Sequence, residues 1–123
     1  MIQINVVIYG SLSKKFGGRH IAELVVELPE GAFKADLMHQ LGISPQERSY
    51  IFINAVLCDV PGLITDGAEP LQDLDHVGIF AHDYMWPYQY RDGVHMSESL
   101  KKAMQAHGAM HNVYQSDKNS PIP

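Results

Sequence analysis

The chain has a single cysteine, Cys58, in 123 residues. One thiol cannot close an internal disulfide, so a disulfide framework is excluded and nothing points to an oxidising compartment. Long apolar runs are missing too, and none approaches the roughly 18–20 residues needed to span a bilayer. The opening "MIQINVVIYG" lacks the basic stretch and small-residue cleavage site of a secretory leader. A cytoplasmic location without a membrane partner is expected. Positive charge is scarce: the net charge is −5, and up to residue 81 the basic residues are Lys14, Lys15, Arg19, Lys34 and Arg48. With no basic stripe, nucleic acid is not an expected partner.

Motifs that carry chemistry are equally sparse. Gly17-Gly18 is not followed by the Gly-Lys-Ser/Thr of a phosphate loop. His107 and His111 stand four apart, but Gly108 occupies the place where a metalloprotease needs glutamate. His82 and His95 have no sequence relation to that pair. Cys58 is followed by Asp59 and has no basic neighbour to stabilise a thiolate. No catalytic residue, metal site or cofactor is expected, and the chain reads as a non-enzyme.

What is present is an ordinary globular balance, 46% apolar and 19% charged. In "IQINVVIY", Ile2, Ile4, Val6 and Ile8 share one face at period two, the mark of a half-buried strand. "IAELVVEL" alternates likewise, and Gly17-Gly18 between the two suggests a hairpin turn. "PEGAFKADLMHQLG" carries an apolar stripe of Ala35, Leu37, Met38 and Leu41, with Gly42 as its stop, and reads as a helix. "YIFINAVLCDV" is strand-like with a turn at Asn54. "HVGIFAH" reads as the last strand. The order β-β-α-β-β-β implies an α+β domain over 1–82, one helix on a mixed sheet. A lone helix leaves the other sheet face open, where Val7, Tyr9 and Phe80 would lie. That face could dock a partner or be covered by the chain's own loops and tail, and the residues leave both open.

Residues 83–123 form an extension. "YMWPYQYR" places Tyr84, Trp86, Tyr88 and Tyr90 at period two, interleaved with Met85 and Arg91, so an extended strap over 84–91 would present its rings on one side. Aromatic residues and arginine anchor interfaces. The rings could equally cover the domain's own open face. Met96, Leu100, Ala103, Met104, His107 and Met110 recur at helical spacing, predicting a helix over 97–112 capped by Ser97 or Ser99, before a frayed tail.

Three ordered blocks, "LPEGAFKADLMHQLG", "FINAVLCD" and "EPLQDLDHVGIF", resemble the MoaD/ThiS family of ubiquitin-like sulfur carriers over residues 2–81. The resemblance implies a β-grasp fold and an association with molybdopterin or thiamin biosynthesis. Two departures stand out. Phe33 takes the place of the family's helix-capping threonine. Where the family ends in two glycines whose carboxylate becomes a thiocarboxylate, this sequence has Met85-Trp86 and runs on to Pro123. The usual sulfur transfer is therefore not expected of the chain as it stands.

The expectation is a non-catalytic module acting as accessory subunit or partner of a larger protein. By the resemblance, that protein is a molybdenum or tungsten pterin enzyme or its maturation machinery. Contact is assigned to Tyr84, Met85, Trp86, Tyr88, Tyr90, Arg91, Val7, Tyr9 and Phe80; a homo-oligomer is compatible with this. The alternative is a sulfur carrier released by proteolysis after Gly93, which would leave Asp92 beside the activated acyl group.

Overall fold

The computed structural model describes residues 1–84 and 95–111, with side chains as far as Ala106. Alternation dictates the first two strands. Ile2–Tyr9 (β1) buries Ile2, Ile4, Val6 and Ile8, and Ile21–Leu28 (β2) pairs with it antiparallel, Ile4 opposite Val26 and Val6 opposite Leu24. The connection is longer than the expected tight turn. A 3-10 helix over Ser11–Phe16 is closed by Gly17 at φ 86°. Leu12, buried within it, joins the core, so the loop contributes packing as well as a reversal.

The next helix is shorter than its sequence signal. Lys34–Leu41 (α1) buries Leu37 completely and ends at Gly42, φ 70°, whose N–H bonds back to the helix carbonyls. Phe33 precedes it and has no side-chain acceptor for the first helical N–H groups. Asp36 supplies the return half of a capping box by accepting the Phe33 N–H at 2.7 Å. The first helical N–H groups go instead to backbone carbonyls, Lys34 N–H to Glu69 at 2.9 Å and Ala35 N–H to Gly67 at 3.1 Å.

Arg48–Ile53 (β3) and Val56–Asp59 (β4) form a hairpin through Asn54 and Ala55, both at positive φ (49° and 68°). The Asn54 amide holds this turn against the start of His76–Ala81 (β5): it donates to Asp75 at 2.9 Å and accepts the His76 N–H at 2.9 Å. β5 lies parallel to β1, Val6 opposite Val77 and Ile8 opposite Ile79, and antiparallel to β3. The resulting mixed sheet has the order β2-β1-β5-β3-β4, with a sixth strand beyond β4. Its last member, His95–Met96 (β6), comes from the region assigned to the extension and pairs parallel with β4, Val56 opposite His95. Glu98–His111 (α2) follows, close to the expected helix.

Two apolar clusters occupy the two sheet faces. On one, Ile4, Ile8, Leu37, Ile51 and Ile79 pack with full burial. On the other, Phe52, Leu57 and Phe80 close around Leu100 of α2, flanked by Tyr9, Tyr84 and Met96. The fold is α+β, with helices over both faces rather than one. No helix among the described residues is long and apolar enough to cross a membrane.

Candidate functional site

Of the residues that sequence reasoning assigned to a partner, the second sheet face carries Val7, Tyr9, Phe80 and Tyr84. Phe80 lies there as expected, but it is a packed ring, 3% exposed, T-shaped against Phe52 and stacked on Tyr9 at a 4.6 Å centroid separation. Tyr84 completes the group, 5.2 Å from Tyr9 and 5.5 Å from Phe80. Leu100 presses on Phe80 from α2 and is wholly buried. Over this half of the face the chain covers itself.

The other half is left exposed by the described residues. Register places Val7 opposite Glu23, Tyr9 opposite Ile21 and Asn5 opposite Val25, so these side chains share the face of Phe80. Ile21 is 47% and Val25 62% exposed, while Val7 and Tyr9 are half-buried. Gly78 lies opposite Val7 on β5 and adds no side chain between them. The exposed apolar strip therefore runs along β1 and β2. Ile21 and Val25 belong to it although sequence reasoning passed over them. The signal was available, because the buried phase of "IAELVVEL" assigns them to the opposite face. Met85, Trp86, Tyr88, Tyr90, Arg91 and Gly93 lie outside the described residues.

Besides Leu100, a buried polar network ties α2 to the sheet. Lys34 at the start of α1 is buried against the Asp59 carboxylate at the end of β4. Its other protons go to Thr65 Oγ1 at 3.0 Å and the Cys58 carbonyl at 3.4 Å. Three donors meet three acceptors, leaving none for Glu69. Glu69 Oε1 sits 3.3 Å from the ammonium, close enough for charge attraction but without a hydrogen bond. Its other oxygen accepts the Ser97 hydroxyl at 2.6 Å. Ser97 in turn caps α2, its Oγ accepting the Leu100 N–H at 3.1 Å. A second tie joins Ser99 to Asp66, and this bond together with the Ala68 N–H holds the Asp66 carboxyl below the usual aspartate range.

Arg48 completes the network. Its guanidinium donates to the carbonyls of Val60 at 2.7 Å, Leu63 at 2.9 Å and Ser49 at 3.1 Å, and stands 3.5 Å from Asp59. Two cations and two carboxylates balance, which is what makes burial of four charges tolerable. A cleft of about 240 Å³ opens above them between α1 and the 60–67 loop, with Met38, Ile43 and Ile64 among its walls. Lys34 reaches it with its three protons already committed, and three of the five Arg48 N–H groups already go to backbone carbonyls. Arg48, Lys34, Asp59 and Glu69 read in the sequence as ordinary surface charges, since charged side chains are seldom fully buried and their partners lie far away in the chain.

Cys58 is 1% exposed, and burial, reinforced by the Glu69 charge, pushes its thiol up to about 12. It is a packed, protonated thiol beside the network. His82 meets the Gln46 carbonyl at 2.9 Å and His95 is exposed on β6. No group of three metal-ligating side chains occurs among the described residues. The side chains of His107 and His111 lie outside them. No protein-family model matches the chain, and no curated protein matches it.

Proposed function

We propose that the chain is a non-catalytic binding module of β-grasp type, an accessory subunit or partner of a larger enzyme. By its resemblance to the sulfur carriers, a molybdenum or tungsten pterin enzyme or its maturation machinery is the partner to test. The β-grasp reading is supported by the central parallel β1–β5 pair, the antiparallel strands on either side and α1 across one face. The observation that carries the binding role is the open strip of Val7, Ile21 and Val25 on a sheet whose remaining half is covered. A non-catalytic role is supported by the internal pairing of the buried charges and the high thiol pKa of Cys58.

The carrier alternative requires cleavage after Gly93. That cut would detach β6 and α2, together with the Leu100 plug and the Ser97–Glu69 bond. The experiment is purification of the endogenous protein with its partners, intact mass measurement and metal analysis of the complex. A full-length chain in a stoichiometric pterin-enzyme complex, reconstituted from pure components and lost on Val7→Asp with the fold intact, is the expected result. A chain ending at Gly93 with sulfur replacing one terminal oxygen would overturn it in favour of the carrier.

A further inference from the structure

Hydrogen-bond phase along β1 fixes which backbone groups of β2 face outward. The Asn5 N–H bonds to the Asp75 carbonyl at 2.8 Å, on the β5 side, so odd-numbered residues of β1 point their backbone groups toward β5 and even-numbered ones toward β2. Gly10 agrees, its N–H bonding to the His20 carbonyl at 2.6 Å. In the β1–β2 register even residues oppose even ones. It follows that Ala22, Leu24, Val26 and Leu28 bond to β1, while Ile21, Glu23, Val25 and Glu27 turn N–H and C=O away from the sheet. β2 is its end strand. Gln40 of α1 reaches only the last of these carbonyls, that of Glu27, at 3.4 Å.

The same four residues carry exposed side chains on one face, apolar and acidic in turn. An edge that no other described strand pairs with, and that repeats apolar, acidic, apolar, acidic, selects its guest. A second copy of β2 is disfavoured: with Val25 opposite itself, Glu23 meets Glu27 of the copy twice, and like charges directly opposite are destabilising. A two-residue shift that centres Leu24 still sets Glu23 diagonal to glutamate. Beyond Glu27 the edge runs into an open groove of about 610 Å³ beside α1, lined by Pro29, Glu30, Asp36, His39 and Gln40. Arg19 and His20 stand only at the start of the strand.

We propose that the β2 edge is a β-addition site for an extended segment of a partner protein, in which basic and apolar residues alternate on one face so that lysine or arginine opposes Glu23 and Glu27. Backbone pairing with Glu23 and Val25 supplies affinity and the two glutamates supply selection. This rests on the reading of the chain as a binding module and names the chemistry of its guest.

The test uses the full chain labelled with ¹⁵N and three nine-residue peptides. The first is Lys-Thr-Val-Thr-Lys-Thr-Val-Thr-Lys, the second replaces each lysine by glutamate, and the third is the first N-methylated at alternate residues. The lysine peptide is expected to shift and protect the amides of Glu23, Val25 and Glu27. It should bind roughly tenfold more tightly than the glutamate peptide, as two cross-strand charge pairs imply. N-methylation should abolish binding, and E23K/E27K should reverse the preference. Equal binding of the lysine and glutamate peptides, shifts confined to another surface, or self-association through β2 would overturn the proposal. A native complex that survives E23K/E27K would overturn the edge site and leave the module reading standing. A chain with no native complex that still selects the lysine peptide would support the edge chemistry while removing the proposed enzyme partner.

Discussion

Lys34 and Asp59 form an ion pair with side chains only 3% and 4% exposed, joining the first turn of α1 to the last residue of β4. Removing one member leaves the other charged and dry. Lys34→Met is expected to destabilise the fold by about 3–5 kcal/mol, the usual cost of stranding a buried charge. The double variant K34M/D59L should recover part of that loss, although Arg48 and Glu69 would then each lose a charged partner. Urea unfolding of the two variants checks the order. A double variant no more stable than K34M would show that Asp59 is needed by Arg48 and Thr65 as much as by Lys34.

Gly10 is expected to resist substitution. Its φ of 89° is one that side-chain-bearing residues rarely adopt, and a methyl group there would sit 2.7 Å from the Asp83 carboxylate and 2.9 Å from the Ala81 methyl. Asp83 accepts the Ser11 N–H at 3.0 Å and its hydroxyl at 3.1 Å, which lowers the Asp83 pKa and fastens the end of β5 to the start of the 3-10 helix. Gly10→Ala should cost about 1–3 kcal/mol from backbone strain alone. The readout is the urea midpoint. A Gly10→Ala chain with an unchanged midpoint would mean that the turn relaxes freely.

Leu100 is the plug between α2 and the sheet. Leu100→Ala is expected to lower the opening free energy of α2 by about 2–5 kcal/mol, the range for a buried leucine truncated in place. Hydrogen exchange should show faster amides in α2 and β6, with β2 little changed because its buried residues lie in the cluster on the other face. Binding of a hydrophobic dye should rise as Phe52 and Phe80 are uncovered. Uniformly faster exchange across all strands would show that α2 belongs to the global folding unit.

The parts of this fold that were legible share one property: they are local. Period-two burial gave β1 and β2, the Asn54 turn gave the β3–β4 hairpin, and helical spacing with a serine cap gave α2. The burial of Phe80 under Leu100 was only half legible, since the open face was visible in the alternation but its cover depends on a residue twenty positions later. The Lys34, Arg48, Asp59, Glu69 and Ser97 network was not legible at all. Its members come from five separate segments, and each alone has the sequence context of a solvated side chain. The 3-10 helix was hidden for a related reason, because "SLSKKF" has no periodicity long enough to distinguish a short helix from a loop.

Cys58 makes the alkaline limb of the stability curve predictable. The folded thiol is pushed up from 9.0 to about 12, chiefly by burial and then by Glu69. Between these values the unfolded chain loses its thiol proton while the folded chain keeps it, so the folded state binds more protons and stability falls as pH rises. The contribution is fully present below about pH 9 and is lost progressively toward pH 12. Cys58→Ala should flatten this part of the curve while costing some packing at every pH. Comparison of urea midpoints from pH 8 to pH 10.5 measures the difference in slope. Native protein at pH 8 should also react with a thiol reagent only as fast as it opens, and the unfolded chain at once. Rapid labelling of the native chain would show the thiol accessible, and the burial assigned to it would have to be abandoned.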